Sequence, residues 1–368
     1  MVLGVDASRL VGVRTGVARY LEYMLRYWST SEIPFDRVEL LSPAPLQDVP
    51  ESDAFRQRVM PSRGPGSWWQ LTRLAPKASE LNVLFAPYAI PPGYRGRSVV
   101  SNMGILAGPN AVPGFRARGR LWHFGHSARR ADAVIANSAA TKDDIVRYFG
   151  AAPEKVTVIW PGVDDAFRPP RAGEHERIAQ AAERVLGERA PYVLFVGKLS
   201  VRRNVPALLE AFALMRAELP DLRLLFVGPN TWNIPFEETA ARLNLNGSVK
   251  HVKHLDQPTL AELYRGARAF ALPTEKEGFS ATILEAMASA CPVVTLDHPA
   301  LSEAGLDKAA MLVPDARPDT LAEALTRLVG DDALRDEVGE RGRVRATDFS
   351  WEQTARKTIE LTAEVAGR

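Results

Sequence analysis

Two glutamates eight residues apart, Glu277 and Glu285, stand in the segment densest in groups that could do chemistry, AFALPTEKEGFSATILEAMASACPVV at 269–294. An apolar run ends at Thr274, the loop EKEGFS follows, and Ser280 stands where it could cap a helix carrying Ile283, Leu284, Met287 and Ala288 on one face. Glu277 then lies in a loop at the carboxyl end of a strand. Beside it is Gly278, whose missing side chain lets a ligand approach the backbone. The N–H groups that open the helix suit an anion such as a diphosphate. Glu285 falls one turn further in, at the edge of the apolar stripe. Taken singly, each glutamate reads more readily as an exposed acid, because carboxylates are seldom buried. The strand, the glycine and the helix start around them make the pair a candidate site.

Other candidates carry less. The loop GVRTG at 12–16 lacks the Gly-x-Gly-x-x-Gly pattern of dinucleotide enzymes and is equally a structural turn. His123/His126 and His251/His254 are each spaced i, i+3, yet the second pair falls in a strand candidate, where such residues point to opposite faces. Neither pair has an evident third ligand, so no metal site is expected. The stretch FRARGRLWHFGHSARR at 115–130 interleaves arginines with Phe115, Trp122 and Phe124, and Trp68 and Trp69 precede it. It reads as a solvated basic helix with its aromatics turned to the core. Alternatively, it attaches to anionic headgroups or a lipid-diphosphate acceptor.

The elements that must position these groups alternate short Val/Leu/Ile runs with helical patterns, the mark of parallel strands covered by helices. Strand candidates are 2–6, 37–42, 83–87, 98–103, 132–138 and 156–162 in the first half, and 192–197, 222–228, 249–255, 269–274, 291–297 and 309–314 in the second. The polar stretch at 164–191, with Pro169 and Pro170, reads as a linker, and FSWEQTARKTIELTAEV from Phe349 as a terminal helix capped by Ser350. With 368 residues, 46% apolar and 24% charged, the chain fits two globular domains. A net charge of +2 gives no global field for nucleic acid. The lone Cys291 excludes an intramolecular disulfide and suits a reducing compartment. The opening MVLGVDASRL lacks a signal-peptide pattern, and no uncharged apolar run reaches 18 residues. The expectation is a cytoplasmic protein, soluble or peripheral on the inner face of the membrane.

The string EGFSATILEAMASACPVV resembles the Glu-x7-Glu motif of retaining GT-B-fold glycosyltransferases of family four. TGVARY (15–20), ANSAATKDDIVRYFG, EKVTVIWPGVDDAFRP, YVLFVGKLSVRRNVPALLEAFA and FSWEQTA resemble successive blocks of that family along nearly the whole chain. The resemblance implies an α/β GT-B fold of two Rossmann-like doubly wound domains facing across a cleft. These are an acceptor domain at 1–168 and a nucleotide-sugar donor domain at 169–349, with the helix at 350–368 crossing back to the first. Glu277 would lie beside the donor sugar at the reacting centre, and Glu285 would accept from the ribose hydroxyls. Backbone amides at Phe279 and Ser280, after Gly278, would hold the sugar, and those near Thr282 and Ile283 the phosphates. Gly197 through Asn204 would complete the donor site, with Lys198 and Arg203 on the leaving diphosphate. Arg203 replaces the family's commoner lysine, and its fork can hold phosphate oxygens bidentately. Gly16 would let backbone amides meet the donor phosphates or the acceptor. Many members carry a histidine at the end of the strand matching SVVSNM. Here that strand ends Ser101-Asn102-Met103-Gly104, leaving Asn102 as the candidate sugar contact.

The implied reaction moves a hexosyl unit from a nucleoside diphosphate sugar to a saccharide or lipid-linked saccharide hydroxyl, with retention, no cofactor and no metal. The sequence contains no Asp-x-Asp, so the two cations and the helix start would stabilise the departing diphosphate. Domain closure would exclude water. GDP-mannose stands first among donors because the blocks at 192–212 and 15–20 look like those of mannosyl- and rhamnosyltransferases of surface polysaccharides. Base recognition, around His254 and Leu255, leaves little trace. Two alternatives stay open: a GT-B-fold nucleotide-sugar epimerase, and a non-catalytic nucleotide-sugar-binding subunit of a polysaccharide assembly complex.

Overall fold

The computed structural model describes residues 1–12, 16–62, 66–102 and 115–368, apart from the side chains at 67, 115–117 and 120. The chain divides into two compact units, Met1–Gly162 with Phe349–Arg368, and Val163–Asp348. Among the described residues the first unit holds β1 (Val2–Asp6), α1 (Gly16–Thr30), β2 (Arg37–Ser42), β3 (Phe55–Val59), α2 (Gly66–Trp69), α3 (Ala75–Ala78), β4 (Val83–Ala86), β5 (Ser98–Asn102), α4 (Phe115–Arg130), β6 (Ala133–Ala136), α5 (Ala139–Phe149) and β7 (Val156–Val158). The second holds α6 (His175–Leu186), β8 (Tyr192–Val196), α7 (Val205–Met215), β9 (Arg223–Val227), α8 (Phe236–Arg242), β10 (Val249–Val252), α9 (Gln257–Gly266), β11 (Ala269–Leu272), α10 (Ala281–Ala288), β12 (Val293–Leu296), α11 (Pro299–Ser302), β13 (Met311–Val313), α12 (Pro318–Gly330) and α13 (Asp332–Ala346). The last helix, α14 (Trp351–Gly367), belongs to the first unit.

Each unit is a parallel α/β sheet, ordered β3-β2-β1-β4-β5-β6-β7 in the first and β10-β9-β8-β11-β12-β13 in the second. Strand order reverses between β1 and β4 and between β8 and β11. Ligands of open α/β sheets bind outside the carboxyl ends of strands at such reversals. The apolar runs form strands because both faces of each sheet are covered: β8 and β11 are buried at every residue.

Every strand expected from those runs is present. One strand has no apolar run to announce it. β3, FRQRV, pairs with β2 at the sheet edge, and four of its five residues are exposed. Arginines at an open edge discourage pairing with another chain, and they also hide the strand from a hydrophobicity reading. The stretch read as a linker carries α6, which buries Ile178, Ala181 and Ala182. Its apolar face is built largely from alanine, so the helical period is faint in sequence. Just before it, Phe167 packs edge-on against Tyr264 at 5.6 Å, and Arg265 Nε donates to the Arg168 carbonyl at 3.0 Å. This segment is therefore fixed to α9.

The terminal helix begins where Ser350 accepts the backbone N–H groups of Glu352 and Gln353. Its buried face (Trp351, Ala355, Thr358, Ile359, Thr362, Val365) recurs at helical spacing against α1 and β4–β6. Trp28 Nε1 donates to the Ala355 carbonyl at 2.9 Å, and Trp351 stacks on Tyr23 at 4.4 Å. Gly162 makes the approach possible: a Cβ there would lie 2.0 Å from the Trp351 backbone nitrogen.

Candidate active site

In the second unit the loops leaving β8 and β11 meet at the strand reversal. Gly197 directly follows β8 with φ +150°, and a Cβ on it would lie 2.0 Å from Arg203 Nη1. Glycine is therefore required both by its backbone and by the arginine laid over it. After a short 3₁₀ turn at Val201–Arg203, Asn204 takes the left-handed conformation at φ +50°. Its side-chain amide donates to the Pro273 carbonyl at 2.9 Å, and the Glu275 N–H donates to the Arg202 carbonyl at 3.3 Å. Three elements of sequence thus lock two loops together: a glycine, a turn-forming asparagine and the strand ends beneath them.

The lock sets Glu277 against the two arginines. Arg203 Nε donates to Glu277 Oε1 at 2.8 Å, Arg202 Nη1 lies 3.4 Å from the same oxygen, and Thr274 Oγ1 donates to it at 3.3 Å. The carboxylate is 12% exposed, so it is partly desolvated and well paired. All three contacts end on Oε1, and none of them occupies Oε2. Arg203 Nη1 also reaches the Lys198 carbonyl at 3.5 Å, while the Lys198 side chain is exposed.

Past Gly278, Phe279 and Ser280 are buried and lead into α10. Ser280 occupies the N-cap position, but its hydroxyl bonds to no helix amide, contrary to the capping expected of it. It lies instead 3.5 Å from His298 Nε2, a residue at the carboxyl end of β12. The first-turn N–H groups at Thr282 and Ile283 therefore lack this side-chain cap, which favours an anion there. Ile283 is fully buried, and Thr282 is half-buried. Glu285 is half-buried on the same helix and accepts from the Tyr264 hydroxyl at 3.1 Å. Burial, then the charge of Glu285, pushes that phenol well above its usual 10, so it stays a neutral donor.

Gly197, Lys198, Arg203, Glu277, Gly278, Phe279, Ser280, Thr282, Ile283 and Glu285 thus share the second unit, on the loops and helix leaving β8 and β11. Gly16 and Asn102 belong to the first. Gly16 opens α1, exposed, with nothing within 4 Å of a notional Cβ, and Asn102 is fully buried at the end of β5. Residues 13–15 of the glycine loop, and Met103 and Gly104, lie outside the described residues. Sequence reasoning missed Thr274, Tyr264 and His298, and included Asn204 only as the end of the Gly197–Asn204 segment, without its bond to the Pro273 carbonyl. Asn204 follows a paired arginine run and His298 a strand end, both weak signals; Tyr264 left none. His123 Nε2 bonds the Ile90 carbonyl and His251 Nε2 the Gly228 carbonyl, at 2.9 and 2.8 Å, so each has a structural partner. No group of three or more His, Cys, Asp or Glu suited to a metal occurs among the described residues. In α4, Phe124 enters the core whereas Trp122 is 69% exposed, stacked on His126. The side chains of Phe115, Arg116 and Arg120 lie outside the described residues.

The fold is that of the GT-B glycosyltransferases of group 1 and family 4: two parallel-sheet Rossmann-like units. Residues 14–167 match the family described as "Glycosyltransferase Family 4", and residues 176–345 match "Glycosyl transferases group 1". The chain is 32% identical over 231 residues to a D-inositol 3-phosphate glycosyltransferase of Jonesia denitrificans, covering 61% of this chain and 54% of that protein. It is 32% identical over 280 residues to one of Kineococcus radiotolerans, covering 71% and 63%. The chain thus spans between about half and two thirds of these relatives' length. Among solved structures, Anabaena HepE in complex with UDP and glucose superimposes with TM-score 0.76 at 18% identity over 98% of this chain and 99% of that one. WaaG, a glycosyltransferase involved in lipopolysaccharide biosynthesis, gives 0.75 at 17% over 98% and 99%.

Proposed function

We propose that this chain transfers a hexosyl unit from a nucleoside diphosphate sugar to a hydroxyl of a saccharide or lipid-linked saccharide, with retention of configuration and without a metal. The observation that carries the reading is the knot of Arg203, Arg202 and Thr274 on Glu277 Oε1, beside the first turn of α10, at the strand reversal. Breaking the sugar–phosphate bond builds charge on the diphosphate, and fixed cations and amides aimed at that charge are the largest catalytic contribution. Arg203, Lys198 and the Thr282 and Ile283 amides supply it. Glu277, its Oε1 fixed, presents Oε2 to the donor sugar on the face where the leaving phosphate helps deprotonate the acceptor. Glu285, held by Tyr264, receives the ribose hydroxyls. The first unit takes the acceptor, and Gly16 and Asn102 are its candidate contacts.

Two donors are to be compared first: GDP-mannose, suggested by resemblance in the sequence blocks, and UDP-glucose, which HepE binds. The relatives' name adds inositol phosphate to the acceptors to be tried. Thermal-shift screening against UDP, GDP and dTDP identifies the base. A product assay then separates a new glycoside from an epimerised donor, or from binding without turnover. Either of the latter outcomes refutes the transferase reading.

Among the described residues no helix is long and apolar enough to cross a membrane. Arg118, Trp122 and His126 follow at four-residue steps on α4. Arg118, Trp122, Arg129 and Arg130 are exposed, and Trp68 and Leu71 are exposed elsewhere in the unit. We propose that this basic, aromatic face docks on anionic lipid at the inner face of the membrane. Equal partition onto neutral and anionic liposomes would sink that idea.

A further inference from the structure

One buried titratable group near the site has no part in the mechanism above. His298 is 3% exposed, two residues past the end of β12, at the head of the short helix α11. Its own carbonyl accepts the N–H groups of Leu301 and Ser302 at 2.9 and 3.3 Å, so the turn holds the residue in place. Nε2 faces Ser280 Oγ at 3.5 Å, while Nδ1 is buried with no hydrogen-bond partner among the described residues. An imidazole withdrawn from water with one nitrogen unpaired costs stability, and a purely structural position would be filled more cheaply by an apolar residue. The charged groups facing it are Glu277 on the β11 loop, Asp297 beside it and Arg202 on the β8 loop.

We propose that His298 is a positioning residue of this site. Through Nε2 it holds the Ser280 hydroxyl away from the N-cap, which leaves the first amides of α10 to the donor and keeps the Gly278–Ser280 loop in register with Glu277. The inference rests on the transferase reading. Almost no surface of the ring is open to a ligand, so it acts through Ser280 rather than on the sugar. The ring must be neutral to do this. Burial favours that form and outweighs the opposing pull of Glu277 and Asp297. A charged imidazolium would be drawn toward Glu277 and would compete with Arg203 for it.

Steady-state kinetics, calorimetry and proton NMR on the full chain test the proposal. His298→Ala frees Ser280 to cap α10, so it should lower kcat about tenfold, weaken nucleoside diphosphate binding several-fold, and preserve the melting temperature within a few degrees. His298→Gln, which keeps a polar atom near the Nε2 position, should recover most of the loss, and His298→Asn should not. Unchanged nucleotide affinity beside a lowered kcat, or no rescue by glutamine, overturns the proposal. The NMR arm needs no turnover. The imidazole should titrate below its usual 6.5, and Glu277→Gln should move it lower still, because the carboxylate's attraction for the imidazolium is gone. An unchanged titration in Glu277→Gln means that ring and carboxylate are uncoupled, which also overturns it. Wild-type protein that transfers no sugar from any nucleotide donor refutes the function. Active wild type with His298→Ala unchanged refutes only the role of His298.

Discussion

The two units share one topological device, a strand-order reversal, and equip it differently. At the second reversal, between β8 and β11, paired charges dominate: Arg202, Arg203, Glu277 and the exposed Lys198. At the first, between β1 and β4, β1 ends in Asp6, which is 4% exposed and accepts the Ser8 N–H at 3.0 Å. Arg9 lies over the Tyr88 ring at 5.0 Å. Nearby strand ends carry buried Ser101, Asn102, Asn137 and Ser138. The second reversal therefore gathers arginines and a lysine around one carboxylate, as a diphosphate site would require, and the first combines one buried carboxyl group and one arginine with several uncharged hydrogen-bonding side chains, as a site for sugar hydroxyls would. The same strand reversal thus carries different side chains in the two units, set by the residues that follow its strands.

The sharpest way to break that contrast is Glu277→Ala. Its kcat should fall on the order of 10²–10³-fold, as when one preorganised electrostatic contact is removed. Donor affinity should change far less, because Arg203 and the α10 amides remain. If affinity collapsed while kcat held, the carboxylate would be serving only to orient Arg203, and the second reversal would be a binding site alone. Glu285→Ala should show the reverse pattern, with nucleotide affinity about tenfold weaker and kcat nearly unchanged, the cost of a lost charge-assisted hydrogen bond.

Legibility in the sequence follows the same division. The strands could be read because both faces of each sheet are buried and the runs are apolar, while β3 escaped because an edge strand needs no apolar run. Glu277, Gly278 and Glu285 could be read because a glycine and a helix start flank them. Their partners could not. Tyr264 and His298 come from other elements, and only the folded sheet brings them to the site; Thr274, three residues before Glu277, read only as the end of a strand, and Asn204 only as the end of the Gly197–Asn204 segment. The capping role expected of Ser280 failed for the same reason, since a distant histidine competes for its hydroxyl. The first reversal was the harder of the two: its one loop motif was glycine-rich and shared by ordinary turns, and Asp6 read as the end of a strand.

Asp6→Asn probes that first reversal. Burial raises the Asp6 carboxyl above 3.8, with Ser8 and Arg9 pulling the other way. The folded state thus binds the proton more tightly than the unfolded chain. Stability from this group is full below 3.8 and is lost as pH rises through the raised value. Asparagine has no charge to bury, so the variant should melt higher than wild type at pH 7, with no gain at pH 3. The acceptor role proposed for the first unit, with Asp6 at its strand reversal, predicts that kcat/KM for the acceptor falls several-fold, about 1 kcal/mol for one hydrogen-bonding group, while nucleotide affinity stays constant. A fall in nucleotide affinity instead would mean that the two reversals do not divide the substrates as proposed.

Tyr264→Phe should have the smallest effect and tests the second reversal most finely. The phenol is fully buried, packed against Phe167 and Phe270, and phenylalanine retains those ring contacts. Only the hydrogen bond to Glu285 Oε2 is removed. Glu285 is half-buried and keeps access to water, so its carboxylate is not stranded and the loss should be roughly 0.5–1.5 kcal/mol, a few-fold in nucleotide affinity. The phenol is held well above 10, so wild type and variant should differ by the same ratio from pH 6 to pH 9. A ratio that narrows toward pH 9 would show the phenol ionising in that range, where it could no longer donate. A loss equal to that of Glu285→Ala would show that Glu285 contributes only in the orientation Tyr264 imposes.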